Sequence, residues 1–152
     1  MIGLLLATAI AATTPPTEPI SAKGAEKKPT LRDLPPAVQE TVKAQGKDAT
    51  LRGLATELMD GVTVYEVELT VRGRTRDMIL DAEGKILTVE DQTTLDEIPQ
   101  GARAAIQKAV GTGKLTLVEK VTQGATTFYE GHIRDGANIS EVKVDADGRP
   151  VK

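Results

Sequence analysis

The chain has no cysteine, no tryptophan and only Tyr65, Phe128 and Tyr129 as aromatic residues. Without cysteine there is no disulfide framework, no thiolate metal site, no thiol nucleophile and no N-terminal cysteine to lipidate. Scarce aromatics make the core an aliphatic one. Positive charge is also short: 19 Lys and Arg stand against 22 Asp and Glu, giving a net charge of -3. No basic stripe offers the clustered phosphate contacts that a nucleic-acid binder requires. No apolar run approaches the ~20 residues that span a bilayer as a helix. His132 is the only histidine, so a multi-histidine metal centre is excluded as well.

What is present is organised around Val62 to Val89. This stretch reads Val-Thr-Val-Tyr-Glu-Val-Glu-Leu-Thr-Val, turns at Arg72-Gly73, runs on through Asp77-Met78-Ile79-Leu80, and turns again at Asp81-Ala82-Glu83-Gly84. Shifted by 64 positions, Tyr65-Glu66 becomes Tyr129-Glu130, Leu69 becomes Ile133, and Asp81 to Gly84 becomes Asp145-Ala146-Asp147-Gly148. The same shift pairs Leu34-Pro35 with Ile98-Pro99 and Leu51 with Leu115. The chain therefore reads as a tandem repeat. At 152 residues, two such units are better packed together than strung apart.

Taken in order, Met1 to Ala12 is apolar and too short to span a membrane. It suits the hydrophobic region of a secretory signal peptide within residues 1–22, with cleavage near Ala11 or near Ala22. Residues 13–30, with Pro15, Pro16, Pro19 and Pro29 among charged and small residues, read as a disordered linker. Repeat 1 is assigned to residues 31–91 and repeat 2 to 95–151.

Leu34-Pro35-Pro36 opens a helix, because proline suits a first turn whose amides have no helical partner, and Gly46 stops it. Ile98-Pro99 and Gly111 bracket the second helix, with Ala102, Ala105, Ile106 and Ala109 on one face. Four strands are expected after each helix. Asp60-Gly61 and Arg72-Gly73 mark two-residue hairpins, because primed turns demand positive φ. Tight links throughout make the strands an antiparallel meander. The fold class read from this pattern is α+β: two tandem helix-plus-four-stranded antiparallel sheet repeats, whose sheets lie side by side or join. Alternation places Tyr65, Val67, Leu69, Val71, Tyr129 and Ile133 under the helices. It turns Val64, Glu66, Glu68, Phe128, Glu130 and His132 to the open face.

Leu-Pro before a short helix, then Tyr-Glu-Val-Glu-Leu, then a strand closing on Asp-Ala-Glu-Gly-Lys or Asp-Ala-Asp-Gly-Arg resembles the PepSY-like domain family of exported bacterial proteins. The unit is similar in architecture to β-lactamase inhibitor protein. The resemblance covers Leu31 to Val151. It implies an envelope or secreted location and a non-catalytic role in binding or inhibiting an enzyme. This chain departs from the inhibitor in lacking its cysteines and its aromatic-rich surface.

Asp145 to Gly148 has the start of a calcium loop without enough oxygen ligands, and the same residues suit a tight turn. His132, two residues from Glu130, shares its strand face, yet no second histidine or nucleophile and base can be named beside it. The signal-like N-terminal run and the open sheet face predict a periplasmic or secreted, non-enzymatic binding module, and the resemblance implies that it is an inhibitor or regulator of an extracytoplasmic enzyme. The binding residues are Val64, Glu66, Glu68, Phe128, Glu130 and His132 on the open face. No catalytic residue, metal or cofactor is expected. The partner is an unidentified protein of the envelope or the exterior, with no nucleic acid and no membrane span after signal cleavage. The alternative is a structural, self-associating envelope protein.

Overall fold

A computed structural model describes residues 29–151. The expected signal peptide, and all of the expected linker but its last two residues, lie outside the described residues. Two helices, α1 (Pro36–Gln45) and α2 (Gln100–Val110), accompany seven strands. These are β1 (Ala49–Met59), β2 (Val62–Val71), β3 (Arg74–Leu80), β4 (Ile86–Gln92), β5 (Lys114–Gln123), β6 (Thr126–Asp135) and β7 (Asn138–Val144). All seven form a single antiparallel sheet in the order β1 to β7.

This corrects the expectation of two helix-plus-four-stranded repeats. β4 does not end a separate sheet; it pairs with β5, with Thr88 opposite Gln123 and Gln92 opposite Glu119. The residues after β7 make only an isolated bridge, Val144 to Pro150, rather than a strand. Local sequence similarity predicted the turns well, but it carried no information about which edges would join.

The turns follow from their residues. Asp60 and Gly61 both take positive φ, as do Arg72 and Gly73, which gives the hairpin geometry that matches strand twist. Asp81 and Asp145 each turn the chain through the side chain: Oδ1 of Asp81 accepts from the amides of Glu83 and Lys85 at 3.1 and 2.9 Å. Oδ1 of Asp145 accepts from Asp147 and Arg149, both at 2.9 Å. The second loop is thus a turn, as its residues predicted.

Both helices cover one face of the sheet. Leu34, Val38 and Val42 pack with Leu54, Val67, Leu69, Met78 and Leu80, flanked by Tyr65, Val71 and Val89. Ile98, Ala102 and Ile106 pack with Val118 and Val144, flanked by Tyr129 and Val142. The alternation argument therefore assigns the covered face correctly. Each helix is entered through a single 3-10 turn, Leu31–Asp33 or Leu95–Glu97. There a carboxylate caps the threonine just before the turn: Asp33 accepts from the Thr30 amide at 2.8 Å and Glu97 from the Thr94 amide at 3.2 Å.

Candidate functional site

The face that neither helix covers is concave. Met59 on β1 and Lys143 on β7 line one hollow of about 240 Å³ together with Ile79, Thr88, Glu90, Val121, Gln123, Phe128 and Glu130. In a flat sheet six inter-strand steps would separate the first and last strands by ~29 Å. Only strong curvature brings both to one hollow.

The curvature changes the character of the residues predicted for this face. All six occupy it, but Val64 is 3% exposed, Phe128 8% and Glu130 4%, while Glu66, Glu68 and His132 are half-buried. Phe128 lies directly across from Val121 and forms the floor of the hollow rather than a protruding anchor.

Three rows of charge cross the face. Cross-strand pairing sets Glu68 beside Asp77 and Asp77 beside Glu90. Arg52 reaches this row from a bulge in β1, bonding Asp77 at 2.7 Å and lying 3.7 Å from Glu68. In the second row Glu119 stands opposite Glu130, and Glu130 opposite Lys143, whose ammonium is 2.8 Å away. In the third, His132 places Nε2 2.8 Å from Glu119 and Nδ1 3.5 Å from Glu141.

Negative charge outweighs these cations, and the carboxyl groups respond. Burial, then Glu119, Glu130 and Asp77, push Glu90 up to about 7, with Lys143 pulling the other way. Burial also raises Glu119 against the opposing pull of His132, and raises Asp77 against Arg52. Glu66 is raised by burial and by its neighbours Glu57, Glu68 and Asp77. The Lys143 ammonium is held above its ordinary range by its bond to Glu130.

Glu119, Glu130 and His132 bring donor atoms within 4.8 Å of one another, close enough to share one metal ion. In the protein alone both buried carboxylates already have partners, His132 on Glu119 and Lys143 on Glu130. The histidine and carboxylate also resemble half of a catalytic triad. The second ring nitrogen faces Glu141 rather than a hydroxyl, so this pair activates no nucleophile in the observed geometry.

Glu90, Glu119, Asp77, Arg52 and Lys143 were not among the sequence candidates. Glu119 was within reach. Gln123 and Thr126 close the β5–β6 hairpin, and counting back from that pair sets Glu119 opposite Glu130. The others require a register across several strands.

No family model matches the chain, and no curated protein matches it. Solved structures do. A protein of Bacteroides eggerthii whose proposed location is the periplasm matches with a TM-score of 0.64 at 15% identity, over 78% of this chain and 86% of the other. A DUF2874 family protein of Bacteroides uniformis matches at 0.61 and 15%, over 78% and 86%. A BLIP-like protein of Bacteroides fragilis matches at 0.56 and 18%, over 76% and 82%. The chain thus has a BLIP-like fold: one curved antiparallel sheet with both helices on its convex side. None of these neighbours is named as an enzyme, and among the described residues no helix is long and apolar enough to cross a membrane.

Proposed function

We propose that the chain is an exported, non-enzymatic binding module, related to PepSY-like proteins, that grips a protein partner in the concave face of its sheet. The observation that carries this reading is the hollow itself. It combines an apolar floor (Val121, Phe128, Ile79) and the half-exposed Met59 with carboxylates that the protein's own cations do not balance. Such a surface suits a convex partner segment bearing apolar and basic side chains, since apolar contact supplies affinity while charge complementarity sets on-rate and register. The extracytoplasmic location rests on the apolar N-terminal run and on the periplasmic location proposed for a neighbour of the same fold. Inhibition of an extracytoplasmic enzyme is one form this binding takes in the proposal.

The test is capture of a partner from the native envelope fraction, followed by titration with Met59→Asp and Glu66→Lys, which alter accessible side chains and leave the floor intact. Loss of binding in Met59→Asp, with Glu66→Lys weakening it chiefly at low salt, supports the reading. A partner that binds both variants unchanged overturns it. Concentration-dependent assembly of the protein with itself, abolished by the same variants, would establish a self-associating envelope protein instead.

A further inference from the structure

The pairing of β1 with β2 is reproduced 64 residues on, between β5 and β6. Leu51 opposite Leu69, a bulge at Arg52 and a closing pair Met59 to Val62 correspond to Leu115 opposite Ile133, a bulge at Thr116 and a closing pair Gln123 to Thr126. The outer edges of these equivalent strands differ. β5 is covered by β4, whereas β1 is the first strand of the sheet, and among the described residues no strand pairs with its outer edge.

The amide of Thr93 donates to the Val118 carbonyl at 2.8 Å, and that of Gly124 to the Leu87 carbonyl at 3.4 Å. In β5, then, Val118, Lys120 and Thr122 turn their backbone groups toward β4. Their counterparts in β1 are Leu54, Thr56 and Leu58, which present the same groups outward. The side chains show the same contrast. On the covered strand Val121 is 1% exposed and Thr122 half-buried, while their counterparts on β1, Glu57 and Leu58, are both exposed, Leu58 at 76%. Edge strands are usually blunted by charge, proline or a bulge. Here the bulge lies at Arg52, and the register from Gly53 to Met59 is regular.

Charge and shape define what fits. Glu57 lies close enough to Glu66 to raise it, and among the described residues no cation forms an ion pair with either. Residues 22–28 of the chain itself, Ala-Lys-Gly-Ala-Glu-Lys-Lys, lie 64 positions before β4. They contain no β-branched or aromatic side chain, and the β4 register would set Glu26 against Glu57. The chain's own sequence is thus a poor match to this edge.

We propose that the edge of β1 from Leu54 to Met59 accepts an extended strand of a partner protein, antiparallel as β4 lies on β5. The incoming strand places a basic side chain opposite Glu57 and a β-branched apolar side chain opposite Leu58. This is a second surface, bordering the concave face toward which Glu57 and Met59 also project, and its mode is β-augmentation.

The probe is a synthetic peptide of residues 85–94 carrying Glu90→Lys, which keeps the β4 register and sets lysine opposite Glu57 and Val89 opposite Leu58. With the full chain, saturable binding is expected, and amide exchange at Thr56 and Leu58 should slow by about tenfold or more. Glu57 and Met59, whose backbone groups face β2, should be unaffected. Leu58→Lys should weaken the peptide about tenfold, and methylating the peptide amides that face β1 should abolish binding. Unchanged exchange at Thr56 and Leu58 with saturating peptide overturns the proposal. So does slow exchange at both before peptide is added: if independent of protein concentration, the chain fills its own edge, and if concentration-dependent, a second copy does.

Discussion

Phe128 shows how one side chain can be on a binding face and still be structural. It lies opposite Val121 at the floor of the concave hollow and is nearly inaccessible. Phe128→Ala should lower stability by about 3 kcal/mol, the usual scale for removing a buried aromatic and leaving a cavity. Met59→Ala, at the rim, should cost under about 1 kcal/mol. Urea midpoints of the two variants check this, and equal midpoints would show that the floor is not packed. Tyr65 and Tyr129 are the convex-side counterparts, each half-buried against its own helix cluster. Each change to alanine should cost on the order of 2 to 3 kcal/mol.

Among the elements, the Asp-Ala-x-Gly turns matter because they hold the helices down. Gly84 has φ +77°, and a Cβ there would sit 2.5 Å from the carbonyl oxygen of Ala37 on α1; Thr41 also donates to the Gly84 carbonyl at 2.7 Å. Gly148 has φ +84° and would meet the Gly101 carbonyl of α2 at 2.5 Å. Gly73 shares the positive φ but has nothing within 4 Å. Gly84→Ala should therefore cost about 2 kcal/mol or more, and Gly73→Ala only the ~1 kcal/mol of the backbone conformation. Thermal melts of both variants decide it: a similar loss in both would mean that α1 can move away at no cost.

Much of this level was legible in the sequence. Proline and glycine bracketed both helices, Asp-Gly and Arg-Gly gave two hairpins, and period-two alternation found the covered face. The bulges were not legible, and they explain what was missed. At Thr116 the alternation resets, so that Leu115 packs under α2 while Leu117 stands opposite His132 and Glu119 opposite Glu130. Counting by twos from Leu115 puts Glu119 on the wrong side. Curvature is equally invisible to a periodic pattern, which is why Glu130 and Phe128, expected on the open face, are buried within it.

For the whole molecule, the crowded carboxylates fix how stability follows pH. Burial and the neighbouring carboxylates push Glu90 up to about 7 in the folded protein, against ~4.3 when unfolded. The folded state thus binds the proton more tightly, and stability falls as pH rises between those two values. Glu66, Asp77 and Glu119 shift in the same direction. Glu97 acts oppositely: its bonds to Arg74 and Thr94 lower it to about 2, so the stability it contributes is lost only in acid. Unfolding free energy should be greater at pH 5 than at pH 8. Glu90→Gln should flatten that slope and add about 1 to 2 kcal/mol at pH 8, after allowing for solvent screening. An unchanged slope in Glu90→Gln would place the titrating group elsewhere.

The two apolar clusters also divide the molecule in time. Every member of the first lies between Leu31 and Val89, and every member of the second between Leu95 and Val144. A chain emerging from a ribosome or a translocation pore N-terminus first can close its first core before residues of the second have appeared. Each later strand then adds to an edge already formed. Such vectorial folding keeps sequence-distant contacts out of the early steps and shortens the exposure of apolar surface.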